Sequence, residues 1–112
     1  MKQAIVVIKS LKMGVGKTAA QVSHASVDAT LKSDQKKVEE WKDEGMKKVV
    51  LKVESEEELL KLKKEAEKLK LITALIKDAG KTFFKKPTIT CLAIGPDDKE
   101  KIDKVTGKLR ML

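Results

Sequence analysis

The stretch AIVVIKSLKMGVGKTAAQVSHASVDA, residues 4–29, decides the fold. Its opening, Ala4 to Lys9, is an apolar and β-branched run bounded by polar residues, the pattern of a strand buried on both faces. Gly14 and Gly16 break that pattern. From Lys17 to about Thr30 small residues recur at Ala19, Ala20, Ser23, Ala25, Ser26 and Ala29, which reads as a helix able to pack closely on both sides. A buried strand, a glycine-bearing loop and a helix form the first unit of an α/β protein.

The loop closes on Gly16-Lys17-Thr18, the ending of a phosphate-binding loop. Such a loop reads G-x-x-x-x-G-K-[ST], because four intervening residues let successive backbone N–H groups wrap a phosphate. Position 11 should then be glycine, but it is Leu11, and Gly14 is too close to complete the cradle. A nucleotide-hydrolysing loop fails on this spacing. Two readings remain. Either the unpaired N–H groups and dipole of the helix start attract an anion, or the loop is a plain turn with a solvated lysine.

The rest of the chain continues the alternation. Asp34 to about Glu44 predicts a second helix, with Val38 and Trp41 on one face and Gly45 at its end. Lys48–Val53 predicts the second strand. Ser55 followed by Glu58 spells a capping box ahead of a helix that buries Leu59, Leu62, Ala66 and Leu69. Ile72–Ile76 predicts a third strand and Thr88–Ile94 a fourth, with Pro87 at a position that needs no ladder donor. Pro96-Asp97-Asp98 predicts the opening of a last helix that stops near Thr106-Gly107. The third and fourth strands have no helix between them and are expected to pair as a hairpin. The expected fold is α/β, one domain over residues 1–112, on a mixed sheet covered on both faces.

Composition narrows the function. The net charge is +8, the pI is about 9.5, and Arg110 is the only arginine among 25 basic residues. Such a surface attracts polyanions, nucleic acid first. A lysine- and glutamate-rich thermophile surface, which the absence of asparagine also fits, is the blander alternative. No apolar run is long enough to span a bilayer and none resembles a secretory signal. The single cysteine, Cys91, cannot form an internal disulfide, and a cytoplasmic setting is expected. One histidine and one cysteine cannot build a metal site, so no cofactor is expected. Cys91 lies in an expected buried strand and is a poor nucleophile.

Two groups of residues could carry chemistry. Lys17, Gln21, His24 and Asp28 fall within a stripe about 60° wide on one helix. This is either a polar strip at the mouth of the loop or an ordinary solvated face. The second group lies in KDAGKTFFKKPTIT, residues 77–90, where Asp78 follows the third strand and Gly80 makes a turn. If the first and third strands run the same way, Asp78 and Lys17 meet at one sheet edge. The carboxylate could then orient or deprotonate a water while the lysine meets an oxyanion; alternatively Asp78 only caps the turn. Neither residue belongs to an apolar face, so replacing either is expected to spare folding. Phe83 and Phe84, among Lys81, Lys85 and Lys86, form either a base-stacking patch or a cover for the sheet edge.

The blocks MGVGKTAAQVSHA, KKVVLKV, EEELLKL, DAGKT, TITCLAIGP and IDKVTGKL, in this order and spacing, resemble the type 2 peptidyl-tRNA hydrolases of archaea and eukaryotes over nearly the whole chain. The resemblance implies a three-layer α/β/α sandwich on a four-stranded mixed sheet. It implies hydrolysis of the ester between a nascent peptide and the tRNA 3′ ribose, without metal or nucleotide, in a cytosolic and commonly homodimeric protein. By position it implies Lys17, Asp78, Thr82 and Thr90 as catalytic residues. Gly16, Gln21 and His24 then serve substrate binding, and Lys81, Phe83 and Lys85 of the aromatic and cationic patch are expected to join them. Three departures touch the neighbourhood of the site: the family usually has a basic residue at Val15, a glutamine at Phe83, and Pro-Gly at Lys86-Pro87. The contrasting possibility is a non-catalytic tRNA- or RNA-binding module, which would bind tRNA without releasing it from an ester.

Overall fold

The computed structural model describes residues 1–81 and 84–112. Its strands are β1 (Lys2–Ile8), β2 (Lys48–Val53), β3 (Thr73–Asp78) and β4 (Thr88–Asp97). Its helices are α1 (Val15–Lys32), α2 (Gln35–Asp43), α3 (Glu56–Lys68) and α4 (Lys99–Thr106), and a short 3-10 turn, Lys9–Leu11, follows β1. The sheet order is β2-β1-β4-β3. β1 pairs parallel to β2, whereas β4 runs antiparallel to both β1 and β3. β1, β2 and β3 therefore point the same way, and their carboxyl ends share one edge of the sheet.

β1 explains the layering. Ala4, Val6 and Ile8 face one side, Ile5 and Val7 the other, and all five are buried. On the first side Leu59, Leu62 and Ala66 of α3 and Ile102 and Val105 of α4 complete the core. On the second side Ala25 and Ala29 of α1 pack on Ala74, Ile76, Cys91 and Ala93. These small residues let the α1 backbone lie close to the sheet. The result is the expected α/β/α sandwich on a mixed four-stranded sheet, with β3 and β4 as the expected antiparallel pair.

Several boundaries differ from expectation. α1 starts at Val15, so Gly16 and Lys17 lie inside its first turn and not before it. β3 runs on to include Asp78. The largest correction concerns Pro96 and Asp97, which extend β4 and do not open the last helix. The ladder shifts register opposite Lys2 and Ala4, and at such an irregularity a proline's missing N–H is tolerated. α4 starts one residue after Asp98. The capping box is also altered. Glu58 N–H donates to Ser55 Oγ at 3.1 Å, but the Glu58 carboxylate accepts from the N–H of Glu54, at 3.2 Å, instead of that of Ser55.

Candidate active site

The site grows from two chain reversals at the shared edge. After β1 the chain makes the 3-10 turn, passes Lys12 in the left-handed region, and enters α1 at Gly14. Gly14 offers no side chain to cap the helix, and the first turn contains no acidic residue. A Cβ added at Gly14 or Gly16 would meet nothing within 4 Å, so the backbone at this helix start is open to approach. Its first N–H groups have no partner within the helix. Lys17 adds a full positive charge to the positive end of the helix dipole, which is electrostatically unfavourable without an anion.

Asp78 supplies that anion. It ends β3, opposite Thr88, and its side chain is 7% exposed. Oδ1 accepts from Lys17 Nζ at 2.5 Å, and Oδ2 accepts from the N–H of Gly80 at 2.8 Å. Asp78 thus meets Lys17 at the shared edge and also caps the turn. Gly80 is required there. Its φ is +87°, and a Cβ would lie 2.5 Å from the Lys86 carbonyl carbon. The Lys17 side chain is only 21% exposed, so the expectation of a freely replaceable surface lysine is corrected. Removing either member leaves the other partly buried without its counter-charge.

Gln21 and Thr90 are placed beneath this pair. Thr90 is fully buried and its hydroxyl donates to Gln21 Oε1 at 3.0 Å. Next to it the Cys91 thiol donates to the Gln21 backbone carbonyl at 3.4 Å, and burial pushes its pKa up to about 11. These contacts lock the middle of α1 onto β4. The supposed polar stripe is therefore split: Gln21 turns inward, His24 is exposed, and Asp28 pairs with Lys32 at 3.3 Å. Gly16, Lys81 and Lys85 are exposed around the same edge, and Phe84 is half-buried. Thr82 and Phe83 lie outside the described residues. No group of three His, Cys, Asp or Glu side chains converges on a metal position among the described residues.

One buried group escaped the sequence reading. Gln3 is completely buried, and its amide nitrogen donates to Ser26 O at 3.3 Å, Thr30 Oγ1 at 3.3 Å and Gly95 O at 3.2 Å. Ser26 Oγ donates back to Gln3 Oε1 at 2.6 Å. This clasp sets the far half of α1 on β1 and β4, and hence the direction in which its first turn points.

Fold and site together define an α/β/α sandwich protein with a lysine–carboxylate centre at the carboxyl edge of its sheet, a class suited to water activation and oxyanion stabilisation. The chain belongs to the family described as Peptidyl-tRNA hydrolase PTH2, whose family model matches residues 1–112. It is 47% identical over 112 residues to a peptidyl-tRNA hydrolase of Methanothermobacter thermautotrophicus, with 100% of both chains covered. It is 52% identical over 114 residues to one of Thermococcus onnurineus, covering 99% of this chain and 97% of the other. With one of Haloquadratum walsbyi it shares 48% over 111 residues, 99% of each chain.

Proposed function

We infer that this chain hydrolyses the ester bond of peptidyl-tRNA, releasing free tRNA and peptide, and that Lys17 and Asp78 are the catalytic pair. Family membership supports the reaction and makes the chain an enzyme, not a passive RNA-binding module. The observation that carries the site is the Lys17–Asp78 contact at the uncapped start of α1. An Asp78 oxygen orients the attacking water and accepts its proton. The new C–O bond pushes the carbonyl electrons onto oxygen, and Lys17 with the N–H groups of the helix start stabilises that oxyanion. Collapse breaks the bond to the ribose oxygen, which takes the proton. The ester is intrinsically labile, so positioning and electrostatic help suffice. Thr90 and Gln21 act as positioning residues, since Thr90 is buried and bonds Gln21. Gly16, His24, Lys81 and Lys85 face the substrate.

The test is release of tRNA from N-acetyl-aminoacyl-tRNA. Lys17→Ala and Asp78→Asn should each lose about 10²–10³ in rate, as loss of one oxyanion donor does elsewhere. Near-wild-type rates from folded variants would move the site elsewhere. Hydrolysis should also persist in EDTA once tRNA folding is allowed for.

Two further features belong to this reading. The outer face of α1 carries Ala20, Ser23, Val27 and Leu31 without a charge among them, and Val27 and Leu31 are 57% and 80% exposed. On a chain this rich in lysine, such a face supports a homodimer. Leu31→Lys should then lower the solution mass from dimer to monomer, and a monomeric wild type refutes it. A tRNA substrate and a lone buried cysteine support a cytoplasmic setting, which cell fractionation checks.

A further inference from the structure

At the edge that holds Lys17 and Asp78, four cations gather on the other side of α1. Lys52 sits near the carboxyl end of β2, in register with Val7. Val7 belongs to the core under α1, so Lys52 leaves the sheet on the face that α1 partly covers. Lys9 follows directly on β1, and Arg110 comes alongside through its carbonyl, which accepts from the N–H of Lys52 at 3.0 Å. The Lys9 ammonium crowds Lys52 and, with Arg110 adding to the repulsion, holds its pKa below the ordinary lysine value, although Glu54 pulls the other way. Lys9 and Lys12 also border an open groove of about 760 Å³ whose floor and walls include Val7, Val50 and Val22. Among the described residues, Lys9, Lys12, Lys52 and Arg110 make no ion pair, as is true of most of the lysines, so what sets them apart is their crowding.

We propose that Lys9, Lys52 and Arg110, with Lys12 beside them, hold a backbone phosphate of the tRNA part of the substrate. The proposal rests on the peptidyl-tRNA reading and adds a subsite to it. Like charges in contact are unfavourable unless an anion joins them, and a phosphate placed among three cations converts the repulsion into attraction. Arginine suits this role because its fork meets two phosphate oxygens at once. A cationic rim over an apolar floor matches a nucleotide, which is anionic at the phosphate and apolar on the faces of its base. The spacing fits as well. β2 is three strands from β3 in the sheet order, which at about 4.8 Å per strand is about 14 Å. A few nucleotides of single-stranded 3′ end cover that distance, so the ester reaches Lys17 and Asp78 while a preceding phosphate rests on the cluster.

The test uses the whole protein with deacylated tRNA and with N-acetyl-aminoacyl-tRNA. The double variant Lys9→Gln, Lys52→Gln removes two cluster charges. Lys64→Gln, Lys101→Gln removes two exposed charges from α3 and α4, which cover the opposite face. The cluster variant should bind tRNA with a log–log salt slope shallower by about 0.7–0.9, one phosphate's worth of counterion release. Its KM for hydrolysis should rise several-fold, and its melting temperature should hold or increase, because a repulsive contact is gone. The control variant should keep the wild-type slope and KM. A cluster variant with wild-type slope and KM overturns the proposal, as does a control variant that changes equally, since only net charge would then matter. If the wild type releases no tRNA while the slopes still separate, the cluster stands and the hydrolase reading fails.

Discussion

The Lys17–Asp78 pair holds two tasks in one contact. Asp78 is nearly buried and tied to the Gly80 N–H, while Lys17 keeps a path to solvent. Their loss is therefore unequal for stability. Lys17→Ala takes the ammonium away from a buried carboxylate and should cost about 1–3 kcal/mol. Asp78→Asn keeps an oxygen for Gly80 and leaves an ammonium that water can reach, so it should cost about 1 kcal/mol or less. Chemical denaturation of both variants beside the wild type checks the ordering, and equal costs would mean that Asp78 is less dependent on Lys17 than their contact implies. The residues themselves were legible: a lysine in a glycine loop and an aspartate after a strand are chemically conspicuous. Their burial was not, because it depends on α1 lying across β3. The inward turn of Gln21 was hidden for the same reason, since its partner Thr90 comes from a distant strand.

At the scale of elements, α4 is tied to β1 by charge. Asp103 accepts from Lys2 Nζ and from Lys99 Nζ, both at 2.7 Å. Lys2 first and then Lys99 hold the Asp103 carboxyl below its ordinary value. A carboxylate with a depressed folded-state pKa stabilises the protein above its unfolded pKa, and that stability disappears as the pH falls through the folded value. Asp103→Asn should thus lower stability at neutral pH by about 0.5–1 kcal/mol, allowing for solvent screening of a partly exposed pair. The gap from wild type should close in strong acid. Denaturant midpoints measured from pH 7 down to pH 2 check this, and a gap that does not depend on pH would assign the loss to packing. Element identity was readable wherever a hydrophobic period was clean, and Lys48–Val53 matches its expected bounds. The end of β4 was not readable. Pro-Asp-Asp is a strong local helix opening, and only pairing with Lys2 keeps Asp97 in the sheet.

For the molecule as a whole, the charge of +8 announces a polyanionic partner but does not say where it lies. With lysines on every helix and on three of the four strands, no linear pattern marks Lys9 and Lys52 as neighbours. They meet because β1 and β2 pair in one particular register. Layering was legible from the order of elements, since a helix between parallel strands must cover a sheet face. The strand order needed more. That β4 separates β1 from β3 follows from tertiary pairing, and it is this arrangement that brings Asp78 and Lys17 to one edge.

The central position of β4 also governs when the enzyme can exist. Among the described residues, β3 has no ladder partner except β4, and β1 reaches β3 only through it. As the chain is synthesised, β1 and β3 emerge before the strand that joins them, and the long-range pairings must wait for it. A chain that has not yet made β4 holds Asp78 on an unpaired segment and has no assembled centre. Such a chain is itself joined to a tRNA by the kind of ester the finished enzyme cleaves. With Lys17 and Asp78 as the proposed catalytic pair, the late arrival of one strand would keep the growing protein inert toward its own attachment until the sheet closes.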